Sequence, residues 1–123
     1  MTVPDRLLLV AAGLAGCLGV ALSAAAAHVT GGGNLLTAAQ FLLFHAPALL
    51  ALSALGAGGL LHPRLARLSG VVLLLGLVLF CGDLSRRTLS GLPLVPMAAP
   101  TGGVLLMIGW LLAGASGLLH RRS

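Results

Sequence analysis

Apolar residues in this chain come in long blocks, with polar positions confined to the gaps between them. Four blocks, 7–27, 35–61, 68–86 and 101–119, are almost free of charge. Crossing the hydrocarbon of a bilayer takes about 20 apolar residues, within a range of roughly 17 to 25, so each block is read as a transmembrane helix. The third is the shortest. Only Leu68 to Gly82 is uncharged there, and its helix is expected to continue through Asp83 toward Arg86 and Arg87. Between the blocks, Val29 to Asn34 is a short Gly-rich turn and His62 to Arg67 contains Pro63. Both are connections of antiparallel neighbours. The stretch Thr88 to Pro100 carries Pro93, Pro96 and Pro100 in otherwise apolar surroundings. Proline there forbids a regular helix, so it is expected to lie against the bundle or the headgroups. The pattern predicts one all-α integral membrane domain over residues 1–123, an antiparallel four-transmembrane-helix bundle.

Composition strengthens this reading. Hydrophobic residues make up 59% of the chain and charged residues 7%, against about a quarter charged in soluble domains, which excludes a soluble fold. Trp110 is the only tryptophan and tyrosine is absent, so there is almost no interfacial aromatic belt and arginine must do the anchoring. A net charge of +5 would suit nucleic acid, but the arginines stand singly or in pairs between apolar blocks with no aromatic platform beside them, unlike a nucleic-acid surface. They set topology instead. Arg6, Arg64, Arg67, Arg121 and Arg122 share one side and Arg86 and Arg87 the other, which places both termini in the cytoplasm by the positive-inside rule. Leu14-Ala15-Gly16-Cys17, after Arg6 and an apolar run, has the look of a lipoprotein signal. The apolar stretch continues ten residues past Cys17, so it is read as a retained helix.

Lipid tails are as apolar as leucine, so close packing between small residues has to hold such helices together. Ala11, Ala15, Gly19, Ser23 and Ala27 form one stripe on the first helix, and Gly109, Ala113 and Gly117 one on the fourth. These faces are expected to point inward, with enough small-residue surface for a second copy or another membrane protein.

The candidate chemistry lies toward one end. His28, His45, Asp83, Arg86 and Arg87 fall on the non-cytoplasmic side, and Gln40 and Thr101 complete a candidate ligand-binding polar pocket. Each also has a purely structural reading. Asp83 and the arginines three and four residues on can neutralise one another at a helix end, and His45 can be a buried imidazole bonded to a neighbouring helix. Pro47 cannot donate to the Leu43 carbonyl, so a kink and a free acceptor are expected beside His45. His28, His45 and Asp83 match a metal site in ligand type, and the two histidines a haem, but no spacing motif supports either. Cys17 and Cys81 sit in apolar runs as small hydrophobes, and His62 and His120 belong to the cytoplasmic edge. No triad, phosphate-cradling loop or metalloprotease helix occurs, since Gly31 to Gly33 precede no lysine. No cofactor is expected and an enzyme is unsupported.

Ala27-His28-Val29, Phe44-His45-Ala46, Phe80-Cys81-Gly82-Asp83-Leu84, Pro100-Thr101-Gly102-Gly103 and Gly109-Trp110 follow one another in an order that resembles the YgdD-like family of small inner-membrane proteins, a domain of unknown function. The resemblance covers nearly the whole chain and extends to a eukaryotic four-span relative. It implies a multi-pass protein of the cell inner (plasma) membrane. The family reads Gly-Ala-Phe-Gly-Ala-His where this chain has Ser23 to His28, and Phe-Ser-Gly-Ser-Leu where it has Asp83; Pro47 is a third departure. The histidines match and the carboxylate does not, which favours a structural or small-ligand role for the histidines over a family-wide metal site. The reading is a non-enzymatic accessory or ligand- and lipid-binding module whose partners are membrane lipids and other membrane helices, not nucleic acid. Its alternative is a proton or ion transport module, or a metal-binding redox module, using His45 and Asp83.

Overall fold

A computed structural model describes residues 1–120 as four long helices: α1 (Val3–Ala25), α2 (Asn34–Ala57), α3 (Pro63–Ser90) and α4 (Ala98–Leu118). All four are long and apolar enough to cross a membrane. Arg121 and Arg122, used above in the charge count, lie outside the described residues.

Local signals set the helix ends. α1 begins four residues before the apolar block because Thr2 and Asp5 form a capping box: the Asp5 carboxylate accepts from the Thr2 backbone N–H at 2.9 Å, and the Thr2 hydroxyl accepts from the Asp5 N–H at 3.4 Å. This reciprocal pairing satisfies two otherwise orphaned donors. At its far end α1 widens into a π turn, Ala26–Thr30. Gly31, Gly32 and Gly33 then reverse the chain, all at positive φ, a conformation that side chains bearing a Cβ rarely adopt. α2 ends at Ala57, four residues short of the expected Leu61, where Gly58 and Gly59 follow. α3 starts at Pro63, capped by the His62 ring accepting from the Leu65 N–H, and runs to Ser90. Its 28 residues span roughly 42 Å, so the shortest apolar block belongs to one of the two longest apolar helical segments. The irregular linker is correspondingly shorter than expected, Gly91 to Met97, because Thr88 to Ser90 finish α3 and Pro100 sits in the first turn of α4, where a missing N–H costs nothing.

The closest packing joins α3 to α4, α1 to α2, and α2 to α3. Gly19 meets Leu43 and Gly16 meets Ala46, Gly56 meets Ala66 while Ala38 meets Cys81, and Gly109 meets Leu73 while Gly102 meets Phe80. Residue numbers rise on one member of each pair as they fall on the other, so successive helices run in opposite senses. α3 and α4 come closest. A Cβ at Gly102 would lie 2.6 Å from the Phe80 nitrogen and 2.7 Å from the Gly76 oxygen, so backbone rests on backbone. The Ser69 hydroxyl fastens the same seam by donating to the Gly109 carbonyl at 2.7 Å.

The inward faces are rotated from the expected stripes. On α1 the buried positions are Asp5, Leu8, Ala12, Ala15 and Gly19, while Ala11 and Ser23 are half-buried and Ala27 is exposed. On α4, Gly102, Leu106, Gly109 and Ser116 are buried, Ala113 is half-buried and Gly117 exposed. Small residues alone do not choose between adjacent faces; Leu8 and Leu106 supply the large side chains that do.

Candidate functional site

His45 sits in the middle of α2 with 5% of its surface exposed. Its Nδ1 is 2.7 Å from the Phe41 carbonyl one turn earlier, and its Nε2 accepts from the Trp110 indole N–H at 3.0 Å across to α4. An indole nitrogen can only donate, so Nε2 must be the bare nitrogen and Nδ1 must carry the proton. Both ring nitrogens are thereby used. The expected kink does not interrupt the helix, which continues through Pro47, and Pro47 itself faces outward. The aromatic surroundings are ordered: Phe41 stacks on Phe80 with centroids 4.6 Å apart, and the His45 and Trp110 rings lie 5.6 Å apart. Together with Gly103 and Met107 these rings border an open groove of about 610 Å³ between α2, α3 and α4.

Asp83 forms a second polar centre and is 1% exposed. One carboxylate oxygen accepts from Arg87 Nε at 2.8 Å and the other from the Leu94 backbone N–H at 2.9 Å. The first bond is an i, i+4 pair on α3; the second clasps the α3–α4 linker onto the bundle. Asp83 therefore works as a buried fastener, and half-exposed Arg87 carries its charge outward as long cationic side chains do near a helix end.

These two centres do not merge into the single polar pocket drawn from the sequence. The aromatic groove is bordered by His45 but by none of His28, Gln40, Asp83, Arg86, Arg87 or Thr101. His28 lies exposed on the π turn, and Gln40, Thr101 and Arg86 are exposed on their helices. The contacts Phe41–Phe80, Ala38–Cys81 and Gly56–Ala66 bring His45 level with a part of α3 about two turns before Asp83, so the two side chains differ in depth as well as in facing. The alternative metal set of His28, His45 and Asp83 is not assembled, since among the described residues no three His, Cys, Asp or Glu side chains group together. Cys81, with its thiol donating to the Ala38 carbonyl at 3.4 Å, pins α3 to α2. Two partners escaped the sequence reading. Trp110 was foreseeable in kind, because a buried or half-buried indole N–H normally finds an acceptor. The Leu94 N–H was not, because it depends on the path of an irregular linker.

Comparison with known proteins agrees with the fold. The family described as Protein of unknown function (DUF423) matches residues 22–103. The chain is similar to UPF0382 inner membrane protein YgdD of Escherichia coli (strain K12), 36% identical over 118 residues that cover 88% of this chain and 86% of the relative. The protein of the same name in Shigella flexneri is equally similar. No solved structure matches. With four membrane-spanning helices and a family match over most of its length, the chain belongs to the DUF423 family and is a multi-pass inner-membrane protein.

Proposed function

We propose that the protein is a non-enzymatic ligand-binding module of the inner membrane, with both termini cytoplasmic, whose ligand is a ring-bearing, membrane-soluble small molecule seated in the groove between α2, α3 and α4. The observation that carries this reading is the His45–Trp110 hydrogen bond. It consumes the one acceptor nitrogen of the imidazole, leaving no lone pair for a metal or a travelling proton. It also holds the Trp110 ring at the edge of a groove already bordered by the Phe41–Phe80 stack. Aromatic walls with one fixed polar group are the usual make-up of a small-molecule site, and about 610 Å³ falls inside the range of roughly 300 to 1,000 Å³ typical of such sites. Lipids and, through exposed small residues, other membrane helices are its remaining partners.

Trp110 is the only tryptophan and borders this groove as well as a second one beside Phe44 and Pro47, so a change in its emission is assigned to this groove by a substitution at Gly103, which borders only the first. Titrating a naphthoquinone into the purified protein should change that emission saturably. Gly103→Leu should abolish the saturable part, since a Cβ there would meet nothing nearer than the Phe80 ring at 4.0 Å and the side chain can fill the groove without parting the helices. Identical titrations of wild type and Gly103→Leu would refute the assignment.

A further inference from the structure

A second groove runs between α1 and α3, and it shares no bordering residue with the aromatic one. We propose that it holds one acyl chain of a phospholipid whose phosphate is bound by Arg86.

The register of the two helices defines the groove. α1 and α3 run in the same sense and make little direct contact. Leu8 packs onto Gly70, where a Cβ would lie 2.8 Å from Leu8 Cδ1. This contact closes the groove at its deep end. From there it follows α1 from Ala11 to Leu22 and α3 from Leu74 to Ser85. Eleven residue steps on each helix give a length of roughly 16 Å, about half of the ~30 Å hydrocarbon core. The groove therefore has about the length of one acyl chain, with one end toward the end of α3 that carries Arg86 and the other about one to two turns past the middle of the two spans.

Its walls suit an alkyl chain. Ala15, Leu42, Leu77 and Cys81 form the buried floor, and the Cys81 thiol is already bonded to the Ala38 carbonyl, so no polar group in the floor is left to be satisfied. A helix from a second copy fits poorly. A 16 Å length of helix about 10 Å across occupies roughly 1,300 Å³, whereas the groove offers about 480 Å³.

The open end supplies the charge. Leu74, Val78 and Gly82 form a row that edges the groove, and Arg86 continues that row one turn beyond Gly82. Helical side chains lean back over the preceding turn, where Gly82 carries no side chain of its own and the only neighbour within 4 Å of its Cβ position is the end of the Leu94 side chain at 3.3 Å. Arg87 is committed to Asp83, while Arg86 is exposed and forms no ion pair among the described residues. An unpaired guanidinium at the mouth of an apolar slot about one acyl chain long is complementary to a lipid phosphate, which it can bind through two parallel hydrogen bonds.

The test uses the full chain in vesicles containing a phosphatidylglycerol with a diazirine midway along one acyl chain. Photolabelling should concentrate on Leu14 to Leu22 and Leu74 to Val78. Val78 is 58% exposed on the rim, so Val78→Trp can plug the groove without disturbing the core, and it should cut this labelling about tenfold, as loss of a fitted apolar contact does. Arg86→Gln should weaken competition by unlabelled lipid by about tenfold, the scale of one charged hydrogen bond, with Arg86→Lys recovering part of it. Labelling spread evenly over the lipid-facing residues of all four helices, or unchanged in Val78→Trp, would overturn the proposal. So would a protein-to-protein cross-link through the groove, which would show a second copy seated there.

Discussion

Replacing Gly102 by alanine adds a single methyl group, yet it should be among the most damaging substitutions the bundle can take. The new Cβ would stand 2.6 Å from the Phe80 nitrogen, 2.7 Å from the Gly76 oxygen and 3.0 Å from the Phe80 Cα. All three are backbone atoms of α3, so no rotamer change relieves the contact and the helices must part by on the order of 1 Å to restore ordinary separations of 3.5–4 Å. Overpacking of this kind costs about 1–3 kcal/mol. Parting α3 from α4 also stretches the 2.7 Å bond from Ser69 to the Gly109 carbonyl, and interhelical hydrogen bonds in membranes average about 0.6 kcal/mol, for a total of roughly 1.5–3.5 kcal/mol. Gly114 is the control, because a Cβ there meets nothing within 4 Å. Gly114→Ala should be neutral or slightly stabilising through its helix propensity. Reversible unfolding of the detergent-solubilised protein in increasing SDS, followed by circular dichroism, measures both. If Gly102→Ala and Gly114→Ala unfold at the same SDS fraction, the backbone-to-backbone seam is not what holds α4.

Other substitutions probe the remaining fastenings. Gly19→Ala should cost less than Gly102→Ala, because its two nearest clashes, at 2.8 and 2.9 Å, are with the Leu43 side chain and its backbone contact, Leu43 N at 3.2 Å, is looser than those at Gly102, and unfolding in SDS ranks the two. Asp83→Ala should release the linker, raising hydrogen exchange at the Leu94 amide by on the order of tenfold, whereas Asp83→Asn keeps that acceptor and should change exchange little. Trp110→Phe leaves His45 Nε2 without its donor and should destabilise by about 1–2 kcal/mol; nitrogen NMR of the wild type should show the proton on Nδ1, and a proton on Nε2 would contradict the hydrogen-bond assignment.

How far the sequence determines this protein depends on which physical quantity each feature needs. The spans were legible because the bilayer demands only length and apolarity, and both are properties of contiguous residues. The Asp83–Arg87 pair was legible for a similar reason, since a four-residue spacing makes neighbours on any helix. The helix starts at Val3 and Pro63 lie outside the apolar blocks and are set by capping chemistry, which hydropathy does not register. Facing was the hard part. Leucine and alanine are so evenly distributed that apolarity hardly marks an inward side, and the choice falls to a few close approaches, Gly102 on Gly76 and Gly19 on Leu43, which exist only once both helices are placed. The same uncertainty in facing dispersed the expected polar pocket. His45 turns toward Trp110 and Asp83 toward the linker, so the two side chains satisfy different neighbours. In a bilayer, where unsatisfied polar groups have no water to turn to, this division has a consequence. His45, Ser69 and Cys81 act as cross-links between helices and Asp83 ties down the linker, and the sites left for ligands are the grooves between those fastenings.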